Sequence, residues 1–153
     1  MGNAVVHFEV GAADDGPLVA FYGELFGWGL QGFSGGGYTM VDTRGGDGIN
    51  GGIGRSQTGA PWSTFYVETD DLQATLDKAN SLGGSTVLPV TDFGGAVTIA
   101  MFNDPDGRIV YLRPGGARAE GRGGAALYGS ADDTMKTGAF RGPARNVFGI
   151  FSY

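Results

Sequence analysis

The chain has 153 residues and a formal net charge of −6, so it is long enough for one domain with a buried core. Its acidic balance disfavours binding to phosphate backbones, and we expect no nucleic-acid partner. The absence of cysteine excludes disulfides, thiolate metal ligands and a cysteine nucleophile, and it fits a cytoplasmic protein. We expect no leader peptide, because the opening residues lack a basic region and a long apolar run. We also expect no membrane partner, because no stretch approaches the roughly 18 apolar residues of a membrane helix.

The first predicted module covers residues 4–55 and opens with an alternating strand over residues 4–10. Asp14 or Asp15 can cap the helix that follows, which Gly27 ends. Its apolar residues recur at i, i+3, i+4 and i+7 and predict a buried stripe, formed by Leu18, Phe21, Tyr22 and Leu25. Glycine-rich turns separate three further predicted strands, over residues 28–33, 38–43 and 49–55.

The same order of elements recurs over residues 62–114, which form the second predicted module. A strand over 63–69 precedes a helix capped by Asp70 or Asp71, and three strands follow over 86–90, 97–102 and 109–113. Position 7 maps onto position 64, Asp14 onto Asp71 and Gly27 onto Gly84, all at one constant offset. Such self-similarity predicts a duplicated βαβββ unit within a single domain over residues 1–114.

The rest of the chain differs in composition from the two modules. Residues 115–124 are rich in glycine and predict a linker, and residues 125–153 form a C-terminal extension. The extension ends with Phe148, Ile150, Phe151 and Tyr153. Because such an apolar end is costly to expose, we expect it to dock on its own domain or on a partner subunit.

Alternation along the predicted strands separates an apolar face from a polar and aromatic one. On the opening strand, His7 and Glu9 share the second face. On later strands the same face carries Thr64, Tyr66, Glu68, Tyr111 and Arg113. The apolar face must pack on the helices, whereas the second face either meets solvent or lines a cup formed by a curved sheet.

Several motifs resemble the glyoxalase/bleomycin resistance protein/dioxygenase superfamily, also called the vicinal oxygen chelate fold. They are His7-Phe8-Glu9-Val10, the run from Phe21 to Trp28, Gly51-Gly52-Ile53-Gly54, the run from Phe65 to Leu72, and Asp104-Pro105-Asp106-Gly107. The resemblance covers roughly residues 4–114. It implies an α+β fold in which two βαβββ modules form a curved mixed sheet around a cavity, and it implies a homodimer.

The resemblance also implies positions for metal ligands near the start and end of each module. Carried over one by one, these positions fall on His7, Thr64 and Tyr111, with the remaining one between Gly48 and Gly54, where Asn50 has the only polar side chain. Divalent cations need three or four converging nitrogen and oxygen ligands. We therefore expect no cofactor and no metal; a divalent metal is disfavoured, and a displaced site would use His7 and Glu9, with Glu68 as a third ligand.

Three functions remain open at this stage. The favoured one is a protein that binds a small organic ligand, aromatic or cationic, without metal. The second is a lyase or isomerase with His7 as catalytic base and Tyr111 as acid or hydrogen-bond donor. The third is a dimeric interaction module. The predicted ligand-binding residues are His7, Glu9, Trp28, Tyr38, Asn50, Trp62, Thr64, Tyr66, Glu68 and Tyr111.

Simpler roles compete with these assignments. His7 is the only histidine, and a lone histidine on a strand is more often a hydrogen-bonded structural residue than a catalyst. Asp104 and Asp106 have the pattern of turn residues whose carboxylates accept from nearby backbone N–H groups.

Overall fold

A computed structural model describes residues 2–56, 58–95 and 97–115. The predicted extension, and all of the predicted linker except Gly115, lie outside these ranges. Within them, no helix is long and apolar enough to cross a membrane.

The described residues form one mixed eight-stranded sheet and two helices, as the α+β prediction requires. The strands occur in the order β2-β3-β4-β1-β5-β8-β7-β6 across the sheet. The elements are β1 (Val5–Ala12), α1 (Asp15–Phe26), β2 (Gly29–Gly32), β3 (Tyr38–Asp42), β4 (Gly51–Arg55), β5 (Trp62–Thr69), α2 (Leu72–Ser81), β6 (Ser85–Asp92), β7 (Thr98–Asn103) and β8 (Ile109–Pro114).

Strand register confirms that the two modules are copies of one unit. The central strands β1 and β5 are antiparallel, with His7 opposite Tyr66 and Glu9 opposite Thr64. Applying the offset that relates position 7 to position 64 converts the first of these pairs into the second. Each central strand also has a parallel neighbour from its own module, β4 beside β1 and β8 beside β5.

The first helix is capped as predicted, but half of its predicted buried stripe is exposed. Asp14 accepts a hydrogen bond from the backbone of Gly16, and Gly27 ends the helix in the left-handed conformation. Phe21 and Leu25, however, are 58% and 57% exposed. The side facing the sheet is rotated toward Gly23, which approaches the Leu30 side chain so closely that a Cβ atom would lie 2.7 Å from it.

The second helix buries the residues that the sequence predicts. Leu72 and Leu76 pack with Ala100 and Leu112 of the sheet, and Leu76 is 1% exposed. The left-handed residue after this helix is Gly83, with φ of 98°. Asp71 is the N-cap and accepts from the backbone N–H of Ala74 over 2.9 Å.

The cap of the second helix gives a small, testable effect. Replacing Asp71 by Ala removes an acceptor from the first turn and should lower the free energy of unfolding by about 1 kcal/mol. Replacing it by Asn, which also caps helices well, should recover most of this loss. Urea unfolding measures both variants, and equal losses for Ala and Asn would contradict the capping role.

The turn before β8 is structural, as predicted. Asp104 accepts from the backbone N–H groups of Asp106 and Arg108, each over 2.9 Å, and Gly107 adopts φ of 89°. The hydrogen bond from the Arg108 backbone N–H has the largest effect on Asp104 and holds the pKa of its carboxyl group below the usual value. This turn directs the chain into β8 and so positions Tyr111.

Candidate functional site

The helices cover one face of the sheet, and the other face carries the candidate site. We call this second surface the helix-free face. On β1 it receives His7, Glu9 and Gly11, all of them buried, and the His7 and Glu9 side chains are 0% exposed. On β5 and β8 it receives Tyr66 and Tyr111, which are also buried.

Four side chains of this face, including Tyr38 of β3, form one hydrogen-bonded network centred on a carboxylate oxygen. Glu9 Oε1 accepts from the hydroxyl of Tyr38 over 2.7 Å and from the hydroxyl of Tyr66 over 3.0 Å. The Tyr38 hydroxyl also lies 3.1 Å from His7 Nε2. Strands β1, β3 and β5 thus contribute polar groups to a single buried cluster.

The direction of these hydrogen bonds determines the tautomer of His7. Tyr38 has one hydroxyl proton and donates it to Glu9, so its contact with His7 requires a donor on His7 Nε2. Burial, together with the smaller effect of the positive charge of Arg113, lowers the pKa of His7 to about 3. His7 is therefore neutral at physiological pH, with its proton on Nε2.

Glu9 shows the opposite response to burial. Desolvation raises the pKa of Glu9 to about 7, against the lowering effect of the two tyrosine hydrogen bonds. Glu9 Oε1 and His7 Nε2 are 3.8 Å apart, yet the two pKa values leave no pH at which both groups are mainly charged. A buried carboxyl group with a pKa near 7 can exchange a proton at physiological pH.

Aromatic and apolar side chains extend this surface toward the second module. Tyr66 stacks on Tyr111 with ring centroids 4.6 Å apart and meets the His7 ring edge-on. Ile99 and Met101 complete the same buried cluster. At its border, the Arg113 guanidinium donates to the Glu68 carboxylate, with Nε 3.1 Å from Oε1.

Glycines of β1 and β4 create the space that two large aromatic rings occupy. A Cβ atom on Gly52 would lie 1.8 Å from the Tyr38 hydroxyl oxygen, and one on Gly11 would lie 2.3 Å from Trp62 Nε1. Tyr38 can therefore reach Glu9 only because position 52 has no side chain. The Gly-Gly-Ile-Gly run is a packing motif of the site.

The structure brings together only some of the predicted ligand-binding residues. His7, Glu9, Tyr38 and Tyr66 share the network, Tyr111 stacks on it, and Trp62 lies over Gly11. Thr64 donates to the backbone oxygen of Ile109 over 2.8 Å, and Glu68 pairs with Arg113.

Two predicted residues are engaged elsewhere. Asn50 accepts through Oδ1 from the backbone of Thr43 over 3.0 Å and thereby holds a loop. Trp28 packs against Phe8, Tyr22 and Phe26. Because Phe8 alternates with His7 and Glu9 along β1, Trp28 lies on the opposite side of the sheet from the network.

Sequence reasoning missed Ile99, Met101 and the glycines at positions 11 and 52 as parts of this surface. Ile99 and Met101 could have been found from the sequence, because strand alternation places both on one face of β7. The role of Gly52 was not readable, since it depends on the path of the Tyr38 side chain across β4.

The positions of the family's metal ligands carry groups that do not fit a divalent cation. His7 Nε2 faces a tyrosine hydroxyl, Thr64 faces a backbone carbonyl, and Tyr111 is stacked. Strand register identifies the fourth position as Gly52. In the second module Tyr111 pairs with Tyr66, and in the first module Gly52 pairs in the same way with Glu9, the counterpart of Tyr66. No group of three or more His, Asp or Glu side chains suited to a metal occurs in the part of the chain that the structure describes.

The fold and site define a protein with two βαβββ modules and a buried polar cluster between their central strands. Residues 4–110 match the Glyoxalase/Bleomycin resistance protein/Dioxygenase superfamily. The chain belongs to this superfamily, as its motifs indicated.

Known relatives and solved structures agree with this membership. The chain is 32% identical over 113 residues to "Putative glyoxylase CFP32" of Mycobacterium tuberculosis, a match covering 68% of this chain and 42% of the relative. It therefore spans less than half the length of the curated relatives it matches.

Two solved structures illustrate the likeness in fold. One is a glyoxalase/bleomycin resistance protein/dioxygenase superfamily member from Vibrio splendidus 12B01, with a TM-score of 0.54, 14% identity, and coverage of 74% of this chain and 99% of that chain. The other is methylmalonyl-CoA epimerase from Mycobacterium tuberculosis, with a TM-score of 0.52, 17% identity, and coverage of 74% and 89%.

Proposed function

We propose that this protein binds a small organic molecule on the helix-free face and does so without a divalent metal. The observation that carries the proposal is the network of His7, Tyr38, Glu9 and Tyr66, which lies between the central strands of the two modules. The family's metalloenzymes hold their ion at positions in this region. In this chain those positions, or the ones beside them, carry hydrogen-bonded tyrosines and a glycine.

The chemistry of this surface suits a flat, partly polar ligand. The Tyr66 and Tyr111 rings offer aromatic contact, and Glu9 offers a carboxyl group that ionises near neutral pH. An aromatic ligand would pack against the rings, and a cationic one would pair with the ionised carboxylate. We further propose a homodimer as the functional unit, as the family resemblance suggests.

Mapping of fragment binding by NMR tests this proposal. Protein treated with EDTA should bind aromatic fragments, and the largest backbone shift changes should fall on β1, β5 and β8 near Glu9, Tyr66 and Tyr111. Replacing Tyr66 by Phe removes one donor to Glu9 and should change these affinities. Replacing Tyr22 by Phe, on the opposite side of the sheet, should leave them unaltered. Fragment binding that appears only after a divalent metal is restored would refute the proposal.

A second candidate, a lyase or isomerase, is favoured by one observation. The pKa of Glu9 lies near 7, where a general acid or base works best. In this candidate Glu9 would accept the proton in place of His7, whose Nε2 already donates to Tyr38. Deuterium uptake next to the carbonyl of a small ketone, such as dihydroxyacetone, would then be faster with wild-type protein than with Glu9→Gln. Equal uptake by the two proteins would eliminate Glu9 as the base.

A further inference from the structure

Two buried polar atoms of the helix-free face have no hydrogen-bond partner among the described residues. One is Oε2 of Glu9, an acceptor when the carboxyl group is ionised, and the other is Nε1 of Trp62, a donor. The remaining oxygen of Glu9 is bonded to two tyrosines. Buried polar atoms are almost always paired in folded proteins, so this donor and this acceptor require a common explanation.

The two atoms belong to neighbouring positions of the same surface. Glu9 and Gly11 follow each other on one face of β1, and same-face neighbours on a strand are roughly 7 Å apart. Trp62 Nε1 lies 2.3 Å from where a Cβ atom of Gly11 would be, so the indole N–H takes the place of a side chain at that position. Because these positions are adjacent on one face, a single small planar group over them can form a hydrogen bond at each end.

The pairing of one acceptor with one donor defines the ligand by its own hydrogen-bonding pattern. The ligand must present a donor, N–H or O–H, to Glu9 Oε2 and, beside it, an acceptor oxygen to Trp62 Nε1. Neutral carboxamides and ureas have this arrangement. A site with buried polar groups rejects an analogue that lacks the matching group, because the protein atom then stays unpaired.

We propose that Glu9 Oε2 and Trp62 Nε1 together bind the carboxamide group of a small neutral molecule, whose N–H donates to Glu9 and whose carbonyl oxygen accepts from Trp62. This inference rests on the proposed function and names its ligand class.

The test compares two neutral probes of nearly equal shape, benzamide and acetophenone. Both have a carbonyl oxygen and a phenyl ring, but acetophenone has a methyl group where benzamide has its NH2. Affinities are measured by NMR titration of the full chain at pH 8. We expect benzamide to bind about tenfold more tightly, because only benzamide pairs Glu9 Oε2.

Two conservative variants assign the contacts separately. Glu9→Gln places an amide N–H where Oε2 was and should abolish the preference for benzamide. Trp62→Phe removes the indole N–H and should weaken both probes about fivefold, with the preference retained. A general loss of structure would weaken both probes in Glu9→Gln as well, whereas the pairing of Glu9 Oε2 predicts a loss confined to benzamide.

Several results would overturn the inference: no binding of benzamide, equal affinities for the two probes, a preference that survives Glu9→Gln, or affinities unchanged by Trp62→Phe. If other fragments still bind the helix-free face in EDTA, the proposed function stands and the carboxamide assignment alone fails. If no fragment binds there, both fail together.

Discussion

Replacing Glu9 by Gln is expected to make the protein more stable at pH 8, by about 3 kcal/mol in the free energy of unfolding. The reason is that wild-type Glu9 is ionised at this pH inside a fully buried cluster. Glutamine keeps an acceptor for the Tyr38 and Tyr66 hydroxyls and carries no charge. A substitution within the proposed binding surface would thus stabilise the fold while impairing ligand binding.

The sign of the pH dependence follows from the two pKa values. Glu9 has a folded pKa of about 7 against an ordinary value of 4.5, so between these values the folded state holds a proton that the unfolded chain has released. The contribution of Glu9 is therefore complete below pH 4.5 and is lost as the pH rises through 7. The loss amounts to about 3 kcal/mol.

His7 contributes in the opposite direction. Its folded pKa of about 3 lies below the ordinary 6.5, so stability is lost as the pH falls from 6.5 toward 3, by about 5 kcal/mol. In the wild-type protein the two slopes offset each other between pH 4.5 and 6.5. In Glu9→Gln only the slope from His7 remains, so the free energy of unfolding should fall steadily as the pH is lowered from 6.5 to 4.5.

Urea unfolding from pH 4 to pH 8.5 measures these effects. The difference in stability between Glu9→Gln and wild type should be largest above pH 7 and smallest below pH 4.5. Glu24→Gln is the matched control, because Glu24 is exposed on α1 and its replacement should produce no such trend. A difference that is independent of pH would mean that Glu9 ionises at its ordinary pKa.

Replacing Gly52 by Ala should destabilise the protein by about 1–3 kcal/mol through overpacking. The new Cβ atom would lie 1.8 Å from the Tyr38 hydroxyl oxygen and 2.2 Å from the ring carbon that bears it. Tyr38 would have to move away, and Glu9 would then lose the shorter of its two hydrogen bonds. Calorimetric or urea unfolding of the variant gives the loss directly.

Two comparisons show whether the loss comes from Tyr38. Gly32→Ala is the matched control, because a Cβ atom there would come no closer than 4.0 Å to the Thr39 side chain, and its cost should be small. In a Tyr38→Leu background the shorter side chain relieves the clash, so Gly52→Ala should cost less than in wild type. An equal cost in both backgrounds would show that the clash with Tyr38 is not its origin.

The order of elements along the chain and the duplication could be predicted because they depend on local patterns. Alternation over β1 and β5, the caps Asp14 and Asp71, and the constant offset between the modules are all visible in the sequence. The offset also predicts strand register, since the pair of His7 and Tyr66 implies the pair of Glu9 and Thr64.

The orientation of α1 could not be predicted from its apolar spacing. Phe21 and Leu25 fit the predicted stripe but lie exposed, because the helix meets β2 through Gly23, a residue with no apolar signal of its own. Apolar periodicity gives weight to large side chains, whereas the close contact between this helix and β2 is made at glycine, the smallest residue. Hydrophobic periodicity therefore predicted the helix correctly and its buried side only in part.

The arrangement of the site could be predicted by face but not by bonding. Alternation placed His7, Glu9, Tyr66 and Tyr111 on one surface, and that surface carries the network. Which of them bond depends on the long Tyr38 side chain, which crosses β4 over Gly52 to reach β1. As a result, the sequence pointed to His7 as the reactive group, whereas the geometry gives Glu9 the central position.

Elemental analysis combined with native mass spectrometry tests the central proposal most directly, namely that this surface binds an organic molecule without a divalent cation. The sample is the full chain purified without added metal and without chelator. We predict far less than one equivalent of any divalent metal, and a mass equal to the polypeptide alone or with a small organic molecule. One equivalent of a divalent ion per chain, lost when His7 is replaced by Ala, would contradict the account.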